Sequence, residues 1–261
     1  DFRIPEYADG KPLILFCHGF KGFKNWGGWQ YAMDKICANG FYTIAMNFSY
    51  NGIGADLNNF TELDKFAWNT IGNELDDIKM LLNEVKTGSQ FTEVNSVTRI
   101  GLIGHSRGGA TAILSAAQTG QFSALVTWAS LANFENYMQY REQWHRDGYV
   151  EYENRRTNEI MRMNVNFLTD LETSTAERNI LLAESRLGIP HLIIHGGSDE
   201  AVAYDHAQKL FDASDKTKTK LEIINGGSHT FGTEHPFHGS TDAFDTVINR
   251  TIEWFRTYFM N

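Results

Sequence analysis

Three side chains in this sequence could together break an acyl bond. Ser106 stands in Gly104-His105-Ser106-Arg107-Gly108, Asp199 in His195-Gly196-Gly197-Ser198-Asp199, and His229 in Gly226-Gly227-Ser228-His229. A serine hydroxyl is a weak nucleophile until a base takes its proton. An imidazole does that best when an acid orients it and stabilises its charged form. Glu200 and Asp205 compete with Asp199 for the role of acid, and His235 and His238 compete with His229 for that of base. The paired glycines before Asp199 and His229 free their loops, and each loop directly follows an apolar run, which favours these two. His105 and His195 read as structural neighbours.

These residues must be positioned by regular elements. Val97 to Ile103 is an apolar run before the serine, and Gly109 to Ala117 is a small-residue helical stretch after it. Strand, G-x-S-x-G, helix is the context of a nucleophile elbow. A serine on so sharp a turn is strained, and strand and helix pass close together, which Gly104 and Gly108 permit. The turn lifts the hydroxyl above the amino end of the helix, which favours negative charge. Apolar runs at 191–194 and 221–224 precede Asp199 and His229, so both lie at the carboxyl ends of expected strands, the edge where sites form in open α/β sheets. A fourth apolar run, Leu13 to Cys17, ends in His18-Gly19-Phe20. A tetrahedral oxyanion needs backbone N–H groups aimed at it. The expected donors are the amides of Phe20 and Arg107, with His18 anchoring its loop. The side chains of Lys21, Lys24 and Arg107 are expected to face solvent or to stand one step removed from the chemistry.

With these motifs in order, the chain resembles the α/β-hydrolase superfamily. Within it, the sequence looks like the serine esterases and S33-type peptidases and is similar to bacterial cinnamoyl and feruloyl esterases. The likeness rests on the stretch from His18 to Gly27, the elbow, His195 to Val202, and His229-Thr230-Phe231-Gly232, and spans about residues 11–132 and 188–261. It implies the α/β-hydrolase fold: a mostly parallel central sheet with helices on both faces and an inserted helical cap. It also implies roles for Ser106, Asp199, His229 and the amides of Phe20 and Arg107. The reaction it implies is hydrolysis of a small-molecule carboxylic ester through an acyl-enzyme, with aryl or short-chain acyl groups preferred. One alternative is a serine aminopeptidase-like enzyme, in which Glu142, Glu151 and Glu153 could bind the substrate amine. Another is a non-catalytic binding protein on the same scaffold, but such proteins usually lose a triad member, and all three candidates are present here.

The rest of the chain agrees with one large α/β domain. Expected strands lie at 13–17, 42–47, 97–103, 124–129, 191–195 and 220–224, and expected helices at 29–39, 64–86, 107–119, 204–213 and 241–259. Proteins of the resembled family open with a β-hairpin before the His-Gly strand, whereas the first clear strand here is expected only at residue 13. Residues 1–132 and 187–261 make the expected core. Residues 133–186, rich in charge and aromatics, interrupt the rhythm and make the expected cap, whose aromatics suit an acyl pocket. A net charge of −9 disfavours nucleic acid or an anionic membrane as partner. No apolar run approaches the roughly 20 residues of a membrane helix. Cys17 and Cys37 read as free buried thiols. No metal-ligand spacing, phosphate loop or dinucleotide motif is present, so neither metal nor organic cofactor is expected.

Overall fold

Alternate apolar residues of Leu13–Cys17 go to opposite faces of one sheet. Leu13, Leu15 and Cys17 join one buried cluster, and Ile14 and Phe16 join the other. A strand buried on both faces reads as an unbroken apolar run because helices must cover both sides. A computed structural model, which describes residues 1–7, 10–154 and 159–260, shows that arrangement. The strands are β1 (Phe2–Arg3), β2 (Leu13–Cys17), β3 (Tyr42–Ala45), β4 (Ile100–His105), β5 (Ala124–Trp128), β6 (Tyr149–Asn154), β7 (Glu159–Asn164), β8 (His191–Gly196) and β9 (Thr219–Ile224). The helices are α1 (Trp29–Ala38), α2 (Leu63–Phe66), α3 (Ile71–Thr87), α4 (Arg107–Thr119), α5 (Glu135–Met138), α6 (Arg141–Asp147), α7 (Asn166–Thr173), α8 (Ile180–Ser185), α9 (Asp205–Ala213) and α10 (Asp242–Phe259).

The main sheet has seven strands in the order β1-β3-β2-β4-β5-β8-β9. Every pairing in it is parallel except that of β1 with β3. Helices α1 and α10 bury Trp29, Met33, Ile36, Phe244, Val247 and Phe255 against one face. Helices α3, α4 and α9 cover the other with Ile71, Ile78, Leu82, Ile113 and Leu210. This is the α/β-hydrolase fold inferred from the sequence.

Three local features depart from expectation. Residue pairs Phe2–Ile44 and Arg3–Thr43 add an antiparallel edge strand before residue 13. The helix expected over 64–86 breaks at 67–70, where Thr70 Oγ1 accepts from the Asn73 amide and so starts α3 afresh. The carbonyls freed by that break are not wasted: Asn164 N donates to Ala67 O, and Asn166 Nδ2 to Trp68 O. Finally, between short helices, residues 133–186 carry an antiparallel hairpin, β6 with β7. Its buried side, Val150, Met161 and Met163, packs with Trp144 and Phe167 in the cluster that also contains Ile71, Ile113 and Leu125. Helix α8 lies against α4 and α9. Cys17 and Cys37 are both free thiols.

Candidate active site

Strand β4 ends at His105 and α4 begins at Arg107, leaving Ser106 alone to turn the chain. Its backbone takes φ 55°, ψ −123°, a conformation that costs a non-glycine residue free energy. The surroundings enforce it. Ser106 N donates to Trp128 O at 2.9 Å, and Ser106 O accepts from Gly109 N at 2.9 Å. A Cβ at Gly104 would meet Gly108 O at 2.3 Å, and one at Gly108 would meet His18 O at 2.3 Å. Both neighbours are backbone, so no side chain could yield. The serine hydroxyl makes no capping bond to its own helix, although Ser106 occupies the N-cap position.

Asp199 and His229 leave adjacent parallel strands, β8 and β9, and their loops meet. Ser198 N donates to Gly227 O at 2.9 Å. His229 Nδ1 then lies 2.8 Å from Asp199 Oδ2. The amides of Ala201 and Val202 donate to the other oxygen, Oδ1, at 2.9 Å each. The Asp199 side chain is fully enclosed. Burial by itself would raise its carboxyl, but hydrogen bonds from His195, His229 and the Val202 amide outweigh burial and hold it well below the usual carboxylate range. The competing residues face solvent or make other contacts. Glu200 is exposed, Asp205 pairs with Lys209 at 3.0 Å, and His238 is exposed. His235 Nδ1 accepts from Gly27 N at 3.1 Å.

Ser106 and His229 line one pocket of about 170 Å³ with Gly19, Phe20, Trp26 and Trp29. The His18-Gly19-Phe20 loop reaches the serine closely: a Cβ at Gly19 would lie 2.8 Å from Ser106 Cβ. His18 serves the loop as expected. Its Nδ1 donates to Gly19 O at 2.9 Å, while Nε2 accepts from Phe48 N at 3.3 Å. Burial pushes it down to about 4 despite the Gly19 bond, so it is neutral and cannot act as an acid at neutral pH. Burial, with the His229 ring beside it, pushes His105 down to about 3. His105 Nε2 donates to His229 O at 3.0 Å and so fixes the backbone of the candidate base.

Arg107 and Lys24, expected either to face solvent or to stand one step removed from the chemistry, are both buried. Arg107 does not face solvent: it is 3% exposed, and Nη2 lies 2.5 Å from Glu74 Oε1. Lys24 is 8% exposed, with Nζ bonded to Asp1 Oδ2 at 2.7 Å. In both cases an acidic partner distant in sequence makes burial tolerable. Trp144 of the insertion is fully buried in the cluster shared with the sheet, its Nε1 donates to Met163 O at 3.1 Å, and it does not line the serine pocket. Glu142, Glu151 and Glu153 are exposed and do not line that pocket. His195, expected as a structural neighbour, stands beside Asp199: its Nε2 lies 3.3 Å from Asp199 Oδ2 and donates to Val202 O at 2.9 Å. The i, i+4 spacing of His195 and Asp199 across a glycine turn was the available signal.

A mostly parallel sheet with helices on both faces, a serine on a strained strand-to-helix turn, and an acid–imidazole pair on the loops after β8 and β9 define a member of the α/β-hydrolase superfamily. The chain belongs to the prolyl oligopeptidase family, whose sequence profile matches residues 49–260. No curated protein matches the sequence significantly. Among solved structures, Est1E from Butyrivibrio proteoclasticus with ferulic acid bound is similar at TM-score 0.75 and 19% identity, covering 100% of this chain and 95% of that one. Alpha/beta hydrolase domain-containing protein 10 from mouse is similar at 0.71 and 18%, covering 98% and 93%. Dienelactone hydrolase from Anabaena variabilis is similar at 0.63 and 18%, covering 99% and 92%. At these identities the likeness is one of fold. Among the described residues no helix is long and apolar enough to cross a membrane.

Proposed function

We propose that this protein is a serine esterase that hydrolyses small carboxylic esters through an acyl-enzyme. The observation that carries the reading is the 2.8 Å contact of His229 Nδ1 with Asp199 Oδ2, beside a pocket that His229 shares with Ser106. With Nδ1 donating to the carboxylate, Nε2 is left free to accept the Ser106 proton. The serine Oγ attacks the acyl carbon as that proton moves to His229. The oxyanion formed is bound by the amides of Phe20 and Arg107. Arg107 opens α4, so its amide is one of the helix's unpaired N-terminal donors. Collapse expels the alcohol, which takes the proton from His229 and leaves acyl-Ser106. Water then gives a proton to His229, attacks the acyl carbon and releases the acid as Ser106 recovers its proton.

A pocket of about 170 Å³ walled by Phe20, Trp26 and Trp29 suits a short acyl chain or a single aromatic ring. Residues 133–186 are read as a cap on a core of 1–132 and 187–261, because Tyr137 and Tyr152 pack on Phe20. Membership of the prolyl oligopeptidase family favours a second reading, a peptidase with the same three residues. Against it, no carboxylate stands among the described residues lining the Ser106 pocket to hold a substrate amine. Specificity constants on p-nitrophenyl esters of rising acyl length and on aminoacyl p-nitroanilides separate the two. The ester reading expects acetate and butyrate esters to be far ahead of every anilide, with Ser106→Ala inactive. Comparable or higher constants on the anilides would promote the peptidase reading.

A further inference from the structure

Arginine directly after the serine is a costly choice if only its amide matters, because a buried guanidinium must be compensated. The carboxylate that compensates it is itself held by several donors. Glu74 on α3 is 1% exposed and takes Arg107 Nη2 at 2.5 Å on Oε1. The same carboxylate accepts from Asn69 Nδ2 at 2.9 Å and from Thr111 Oγ1 at 2.8 Å. Three donors, two from α4 and one from the α2–α3 break, thus fix the carboxylate, and it fixes the arginine.

The fixed guanidinium is turned to an aromatic face: its central carbon lies 4.5 Å from the centroid of the Phe20 ring. Phe66 stacks on the same ring at 5.7 Å, and Tyr137 and Tyr152 meet it edge-on at 5.8 and 5.3 Å. Beside Phe20, Lys21 has φ 53°, and its Nζ donates to Glu153 O of the hairpin at 3.0 Å. A loop with a residue in that region holds one conformation only when its surroundings enforce it.

We propose that Arg107, through Glu74, is a positioning residue for the oxyanion hole: its side chain locks the ring of Phe20, so that the two residues whose amides bind the oxyanion hold each other in register. Tyr137 and Tyr152 close the remaining sides of that ring, which gives the insertion a part in the chemical step without touching substrate. The inference rests on the esterase reading above.

The test uses the whole chain carrying Arg107→Met with Glu74→Gln, which removes both charges together. The glutamine oxygen can still accept from Asn69 Nδ2, and its NH2 can donate to Thr111 Oγ1, whose own proton goes to Arg107 O. Circular dichroism melting first establishes that the double variant folds. Turnover is then measured on p-nitrophenyl acetate and on the matched thiono ester, in which sulfur replaces the carbonyl oxygen. Sulfur is larger and a poorer hydrogen-bond acceptor, so an intact hole discriminates against it. The expected result is a kcat on the oxygen ester lowered about 30-fold or more with KM within about threefold, and a smaller oxygen-to-sulfur ratio than wild type. A merely structural arginine would leave that ratio unmoved. If Arg107→Met/Glu74→Gln does not fold, Phe20→Leu, which removes the ring face but keeps the amide, is read by the same ratio. A folded variant with wild-type kcat and an unchanged ratio overturns the inference alone. A wild-type protein that turns over no ester overturns the esterase reading and the inference with it.

Discussion

His195 and Asp199, four residues apart across a glycine turn, face each other inside the protein, with imidazole Nε2 3.3 Å from carboxylate Oδ2. The oxygen is the one that takes His229 Nδ1 at 2.8 Å. His195 is fully buried, so one imidazole stands behind the carboxylate and a second, His229, in front of it. Replacing His195 with Leu should therefore weaken turnover without abolishing it. Nε2 gives its proton to Val202 O at 2.9 Å and meets the carboxylate only as a longer second contact. Such a contact is worth nearer the roughly 0.5–1.5 kcal/mol of an ordinary hydrogen bond, which predicts a loss of about two- to tenfold in kcat. Steady-state kinetics beside a melting curve would check this, and wild-type kcat in a folded variant would deny His195 any part in placing the acid.

Asp199→Asn should be far more damaging. The amide can still accept from the Ala201 and Val202 amides, but it does not hold His229 in the required tautomer or stabilise its charged form. Equivalent changes in serine hydrolases lower kcat by about 10⁴. The melting temperature should change little by comparison. A tenfold loss or less would point to another acid.

How much of this was open to sequence reasoning differs by residue, for physical reasons. Ser106, Asp199 and His229 each follow a parallel strand of the central sheet, and such strands are continuous apolar runs that announce where a loop begins. The short edge strand β1 has no such run. The hairpin's alternation, Val150 and Tyr152 against Glu151 and Glu153, is a strand signal obscured by the many charges on its outer side. Whether Arg107 faces solvent or stands one step behind the chemistry was left open, because that depends on Glu74, a residue distant in sequence that only the packing of α3 on α4 brings near.

Stability should fall with acid before the carboxylates titrate. His18 and His105 are held by burial at about 4 and about 3, below the ordinary 6.5. The unfolded chain therefore binds more protons than the folded one between about pH 6.5 and 4, and stability declines as pH drops through that window. Every tenfold difference in proton affinity between the folded and unfolded chain is worth about 1.4 kcal/mol, so the two rings together predict a loss of several kcal/mol. Urea midpoints at intervals from pH 7 to 4 would reveal it, and a flat profile above pH 4.5 would contradict the neutral burial of both rings.

Trp144 and Trp26 should separate stability from selectivity. Trp144→Ala opens a cavity within the insertion and should cost about 3–5 kcal/mol, with the order of acyl preference retained. Trp26 lines the serine pocket and is partly exposed, so Trp26→Ala should shift preference toward longer acyl chains at smaller cost in stability. Melting temperatures and an acyl-length series on both variants test the pair together, and the reverse assignment of effects would mean that the insertion shapes the acyl pocket directly.

The central claim is that Ser106 is a nucleophile activated by His229 and Asp199. Its most direct measurement is the intact mass of the protein after brief exposure to a fluorophosphonate, followed by peptide mapping. The account predicts one phosphonyl adduct per chain, on Ser106, absent from Ser106→Ala and formed much more slowly in His229→Ala. An unmodified wild-type protein, or an adduct that persists in Ser106→Ala, would contradict it.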